Sequence, residues 1–190
     1  MKTNKRYAVG GILVSATLLL SGCAIAATSG PGMMGSNTNY YDSKLDCNVP
    51  ANLQGSFVKV VLLDMGMKRM MGGVAPMGAH MRLIASPSTV SAGVVSIVVK
   101  NLGWRTHELV IMPLSENMKS GQRVPGADGK VSESGSVGEA SNSCGAGVGS
   151  GIGSGSASWT TISLKPGRYE LICNLANHYA DGMYQELDVI

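Results

Sequence analysis

The sequence predicts an all-β domain: a Greek-key β-sandwich that carries one long loop insertion rich in Gly and Ser. Three observations predict it. Seven or eight short, apolar and β-branched runs are separated by turn signals, the pattern of a sandwich. Gly is abundant, at 26 of 190 residues, while charged residues reach only 14%, which suits strands and long loops better than helices. No segment makes a secure helix. With 190 residues, less a targeting segment, the chain offers one domain of ordinary size with a sizeable core.

Charge narrows the function classes. The formal net charge is +3, but Lys2, Lys5 and Arg6 lie in the N-terminal segment. Removing these three from 15 basic residues leaves 12 against 12 acidic ones. A neutral processed chain has no electrostatic basis for holding nucleic acid. Phosphate-binding motifs are missing too, because the Gly-rich region lacks the flanking strand and helix that a Walker-type or dinucleotide fingerprint needs.

Residues 1–22 have a basic start and an apolar run over 7–20, too short for the ~20 residues of a spanning helix, so an export signal is predicted. Leu20, Ser21, Gly22 and Cys23 resemble a lipobox, with Cys23 as the lipidated N-terminus that attaches the protein to a membrane. Cleavage after Ala26, or retention of the segment as a signal anchor, are the competing readings. Each leaves the domain extracytoplasmic. Residues 23–52, rich in Gly, Ser, Asn and Thr, would form a flexible tether, and 53–190 the folded domain.

Within the domain, 57–63 reads as the first strand. A loop over 64–80 carries Met65, Met67, Met70, Met71, Met77 and His80. Strands follow over 81–85, 93–100 and 107–112, the last closed by Pro113. Residues 115–158 are long and low in complexity, either a functional insertion or a mobile excursion. Strand character resumes over 159–164. Pro166 and Gly167 mark a tight turn, and 168–173 and 184–190 alternate again.

Between those last two runs lies the segment that carries chemistry. Cys173, His178 and Met183 are separated by four residues each time. Thiolate, imidazole and thioether, with a second imidazole from elsewhere, are the ligand set of a mononuclear blue-copper site. One loop can supply three ligands only if it folds back on itself. Asn177 and Gly182 each precede a candidate ligand, and both residue types tolerate positive φ. His107 is the candidate second imidazole, since it opens a strand after the turn that contains Asn101 and Gly103. His80 competes for that place. It reads either as an ordinary loop histidine or, with Met77 and Met81, as a second copper site.

The segment from Cys173 to Met183 resembles the metal-binding loop of cupredoxins, with the spacing of the rusticyanin and sulfocyanin branch. Asn101, Gly103 and His107 are similar to the cupredoxin segment in which a strand ends in Asn and the first copper His follows a short turn. The resemblance covers roughly 57–190. It implies a cupredoxin-like sandwich holding one type 1 copper ion, with His107, Cys173 and His178 in a plane and Met183 axial. One departure is Glu108, where many cupredoxins carry Asn after the first His, which leaves open how the site is pinned together.

Cys47 and Cys144 remain, and in an oxidising compartment two leftover cysteines either pair or stay as free thiols. The methionines of 65–77 suit a cover for the site or a partner-docking surface better than a copper-loading cluster. Trp104 and Tyr179 could add aromatic surface near the site or serve packing alone. The expected function is one-electron transfer by a monomer, with no enzyme activity and no small-molecule substrate. The resemblance implies a respiratory chain at the outer face of the cell membrane, with a cytochrome or terminal oxidase as partner. The alternative is a protein that stores or delivers copper through His80 and the Met-rich loop.

Overall fold

A computed structural model describes residues 47–64 and 81–190. The expected export signal, Cys23, most of the tether, the methionines of 65–77 and His80 lie outside the described residues. Within them the chain forms β1 (Ser56–Leu63), β2 (Arg82–Ser86), β3 (Thr89–Val90), β4 (Gly93–Asn101), β5 (Leu109–Leu114), β6 (Gly138–Ala140), β7 (Ala157–Leu164), β8 (Gly167–Ile172) and β9 (Tyr184–Val189). No helix occurs among the described residues, and so none is long and apolar enough to cross a membrane.

The strands build two mixed sheets, one in the order β2-β1-β4-β7 and the other β3-β9-β8-β5-β6. The β1–β4 and β3–β9 pairs are parallel and the other pairs antiparallel. Alternation decides which face turns inward. Val58, Val60 and Leu62 of β1 and Val95, Ile97 and Val99 of β4 share one buried cluster with Leu109, Ile111, Leu171 and Leu187 of the other sheet. That shared cluster makes the two sheets a sandwich.

The insertion over 115–158 is packed against the domain. β6 pairs with β5, placing Leu109 opposite Ala140. Single bridges join Asn142 to Gly151 and Ala146 to Trp159. Val131 is buried against Val110, Met112, Ile172 and Tyr179. These last lie on the opposite face of the β5–β8 pair from Leu109, Ile111 and Leu171, so the insertion gives this sheet a second apolar layer. Burial on both faces explains why the alternation of β5 is weak in the sequence. A disulfide joins Cys47 to Cys144, 97 residues apart, and so ties the last residues of the expected tether to the insertion.

Two strand starts differ from expectation by two residues, Pro113 lies inside β5 opposite Tyr169 rather than closing the strand, and two strands are additional. β5 starts at Leu109, while His107 sits before it in a single bridge to Ile152. β7 starts at Ala157, two residues early. β3 and β6, of two and three residues, are additional.

Candidate metal centre

Two strand ends deliver the candidate ligands. β4 ends at Asn101, which is fully buried and organises the next turn with its side chain. Its Nδ2 donates to the carbonyls of Arg105, at 2.7 Å, and Ile152, at 2.8 Å. Its Oδ1 accepts the Gly103 amide at 2.8 Å. An Asn at this point closes a turn on its own backbone, as short amide side chains do. His107 then enters buried, exchanging backbone hydrogen bonds of 3.1 and 2.7 Å with Ile152. The insertion therefore walls one side of His107 and sets its backbone.

The second strand end is that of β8, after which Cys173 opens the loop. The Cys173 amide donates to the Met183 carbonyl at 3.0 Å, and the Met183 amide to the His178 carbonyl at 3.1 Å. Between them Asn177 adopts φ 68° and Gly182 φ 99°, the left-handed conformations that fold the loop back. The His178 amide closes a tight turn onto Leu175 at 2.9 Å. The Asn174 side chain stitches the loop to the insertion, accepting from the Val131 amide at 2.8 Å and donating to its carbonyl at 2.9 Å.

His107, Cys173 and His178 converge and are buried, with one ligand atom of each lying within 4.8 Å of the others. Nδ1 of His107 is 3.2 Å from Nδ1 of His178. Cys173 Sγ is 3.8 Å from the first of these nitrogens and 3.3 Å from the second. Imidazole and thiolate donors set trigonally at about 2.0–2.3 Å from an ion would be roughly 3.5–3.8 Å apart. The triangle is close to that size without rearrangement. Met183 is fully buried in the same apolar cluster as Cys173, and its backbone links both ends of the loop. A thiolate and two imidazoles beside a buried thioether suit copper better than harder ions, so the donor set fits one type 1 copper ion.

Electrostatics prepare the donors unequally. Burial, with the neighbouring His107 and Arg105, lowers the pKa of His178 to about 4, which keeps its imidazole neutral and available as a ligand at pH 7. Burial pushes the Cys173 thiol up to about 12. Thiolate formation at neutral pH therefore needs a cation, and metal binding would release a proton. The Glu108 amide donates to Cys173 Sγ at 3.4 Å, a hydrogen bond of the kind that tunes a coordinated thiolate. The Glu108 carboxyl is raised to about 7 by burial and by the nearby Glu139 and Glu133.

Leu109, Ile111, Met81 and Ile152 are buried in one cluster with Cys173 and Met183, with Leu175 packed against them, while Ala176 is exposed and Val110 packs in the outer apolar layer. Tyr179 is buried, its hydroxyl donating to Glu170 and accepting the Arg123 amide, both at 3.0 Å, so it serves packing. Trp104 is half-buried.

Two residues escaped the sequence reading. Ile152 lies in a low-complexity run where nothing marks one residue as a strand partner. Asp64 follows β1 directly, and its lone carboxylate gives no local sign of a target 40 residues away. Its Oδ1 accepts the Trp104 amide at 2.7 Å and its Oδ2 the Arg105 amide at 2.8 Å. Oδ2 also lies 3.7 Å from His107 Nε2. Burial raises the pKa of Asp64, but His107 and the two amides outweigh that and bring it down to about 2.

No protein-family model matches the chain, and no curated protein matches it significantly. Among solved structures it is similar to rusticyanin from Thiobacillus ferrooxidans, with 21% identity, a TM-score of 0.40 and coverage of 72% of this chain and 79% of that one. It is similar also to reduced auracyanin from Roseiflexus castenholzii, at 18% identity and a TM-score of 0.42, covering 72% of this chain and 99% of that one. A further rusticyanin structure, described as that of a copper protein, has 17% identity and a TM-score of 0.41, with 72% and 80% covered. Copper is indicated by the convergence of the donors, independently of these likenesses.

Proposed function

We propose that the chain is a one-electron carrier that holds a single type 1 copper ion between His107, Cys173, His178 and Met183. The observation that carries this is the buried triangle of two imidazole nitrogens and one thiol sulfur, supplied by two strand ends of one sandwich. When bound, the ion supplies a one-electron couple between Cu(I) and Cu(II). The chain's own part is to keep the donors in place. Backbone hydrogen bonds fix Cys173, His178 and Met183 relative to one another, and the bridge to Ile152 fixes His107. Four ligands leave no open position for a substrate, so electrons pass between partner proteins and no bond is made or broken. The apolar shell of Leu109, Ile111 and Ile152 disfavours the more highly charged Cu(II) state, which argues for a high potential.

The Cys47–Cys144 disulfide suits an oxidising, extracytoplasmic compartment. In this proposal the protein works as a monomer in a respiratory chain. A cytochrome or terminal oxidase is its partner, and a lipid on Cys23 or a signal anchor holds it at the membrane.

The visible absorption and electron paramagnetic resonance spectra of the protein loaded with Cu(II), beside those of Cys173→Ala, test the site. An intense thiolate-to-copper band that disappears in the variant is expected. A pale wild-type spectrum would remove the assignment, and copper that a chelator strips within seconds would favour storage or delivery.

A further inference from the structure

Glu108 follows His107 directly, and its backbone, not its side chain, reaches Cys173. How His107 is oriented is therefore a separate question. Its Nδ1 faces Cys173 and His178, so Nδ1 is the metal-facing atom. Its Nε2 is buried and, among the described residues, has no hydrogen-bond partner, a costly position for a ring N–H. Asp64 Oδ2, an acceptor on a residue only 2% exposed, lies 3.7 Å from it.

The carboxylate is fixed before His107 uses it. Each oxygen accepts one amide, from Trp104 and Arg105, and each keeps a further lone pair. Gly103 keeps the space open: a Cβ there would run into Asp64 Oδ1 and lie 3.0 Å from His107 Nε2. Carboxylate, turn and imidazole thus form one unit. The distance is longer than a hydrogen bond, and a movement of under an ångström by ring or carboxylate would close it.

We propose that Asp64 is the positioning residue of His107. Its carboxylate accepts the Nε2 proton, fixes Nδ1 as the ligand atom, and puts a negative charge behind that ligand which favours the cupric state. A ligating His usually gives its second N–H to such a partner, which sets the tautomer and the ring orientation. The inference rests on the copper proposal for its redox part, while the tautomer belongs to the metal-free protein.

Two measurements on the full chain test it. Nitrogen-15 NMR of the metal-free wild type should find the His107 proton on Nε2; a proton on Nδ1 would overturn the inference. This readout does not depend on a variant folding or on copper being bound. In Asp64→Asn, the lost negative charge should raise the reduction potential measured by protein-film voltammetry and shift the copper hyperfine splitting. The blue band should be retained. An unchanged potential with the band intact would overturn the redox part while leaving the copper site standing. A wild type with no blue band would remove the copper proposal, and the His107 tautomer would still decide the Asp64 pairing.

Discussion

Met183 is the candidate ligand whose part is least fixed by its surroundings. Its backbone holds the loop closed through Cys173 and His178, and its side chain is wholly buried, so it would be retained for packing even if the thioether never met an ion. An axial thioether is a soft, weak donor, whereas an amide oxygen is harder and stabilises Cu(II). Met183→Gln should therefore lower the reduction potential in voltammetry. An unchanged potential would leave Met183 a core residue. The loop was legible in the sequence because its information is local: the ligand spacing and two residues that accept positive φ all fall within 11 positions. Asp64 was not legible, because its partners at 103–107 are defined only once β1 and β4 lie side by side in parallel.

At the scale of elements, the insertion changes what β5 and β8 must be. Glu170 of β8 is wholly buried because the insertion covers it. It pairs with Arg123 Nε at 2.5 Å and accepts from Ser120, the Gly121 amide and the Tyr179 hydroxyl. Tyr179 follows His178 directly, so this network also braces the metal loop. Removing the carboxylate leaves the partly exposed Arg123 unpaired and strands the Gly121 amide and the Tyr179 hydroxyl, at about 1–3 kcal/mol. Glu170→Ala should reduce stability by that order in urea unfolding, and Glu170→Gln by less because it keeps shape and acceptor. A loss within 0.5 kcal/mol for Glu170→Ala would mean that the insertion is not held by this network. The long strands could be read from alternation and turn residues. β6 could not, because three residues in a Gly- and Ser-rich run carry no period, and its pairing is set by the exposed edge that β5 offers. The covering of the outer face by Val131 was equally hidden, since one valine between Lys130 and Ser132 gives no pattern.

For the whole molecule, the question is whether an ion would build the site or be received by it. His107 is held by Ile152 and Asn101's turn, and Cys173, His178 and Met183 by each other's backbones, all within a sandwich whose core spans both sheets. None of these contacts needs a metal, unlike small zinc domains whose folding free energy is their binding free energy. Removing copper should therefore leave the far-ultraviolet circular dichroism spectrum unchanged. Stability should nevertheless fall, because a ligand that binds only the folded state stabilises it by mass action, by about 4 kcal/mol when free ligand exceeds its dissociation constant a thousandfold. Thermal melts of copper-loaded and copper-stripped protein should differ accordingly, with the stripped form still unfolding cooperatively. A stripped protein that loses its strand signal would show that the two strand ends meet only when the ion draws them together. In that event the short distances among Nδ1 of His107, Nδ1 of His178 and Sγ of Cys173 would belong to the loaded state alone.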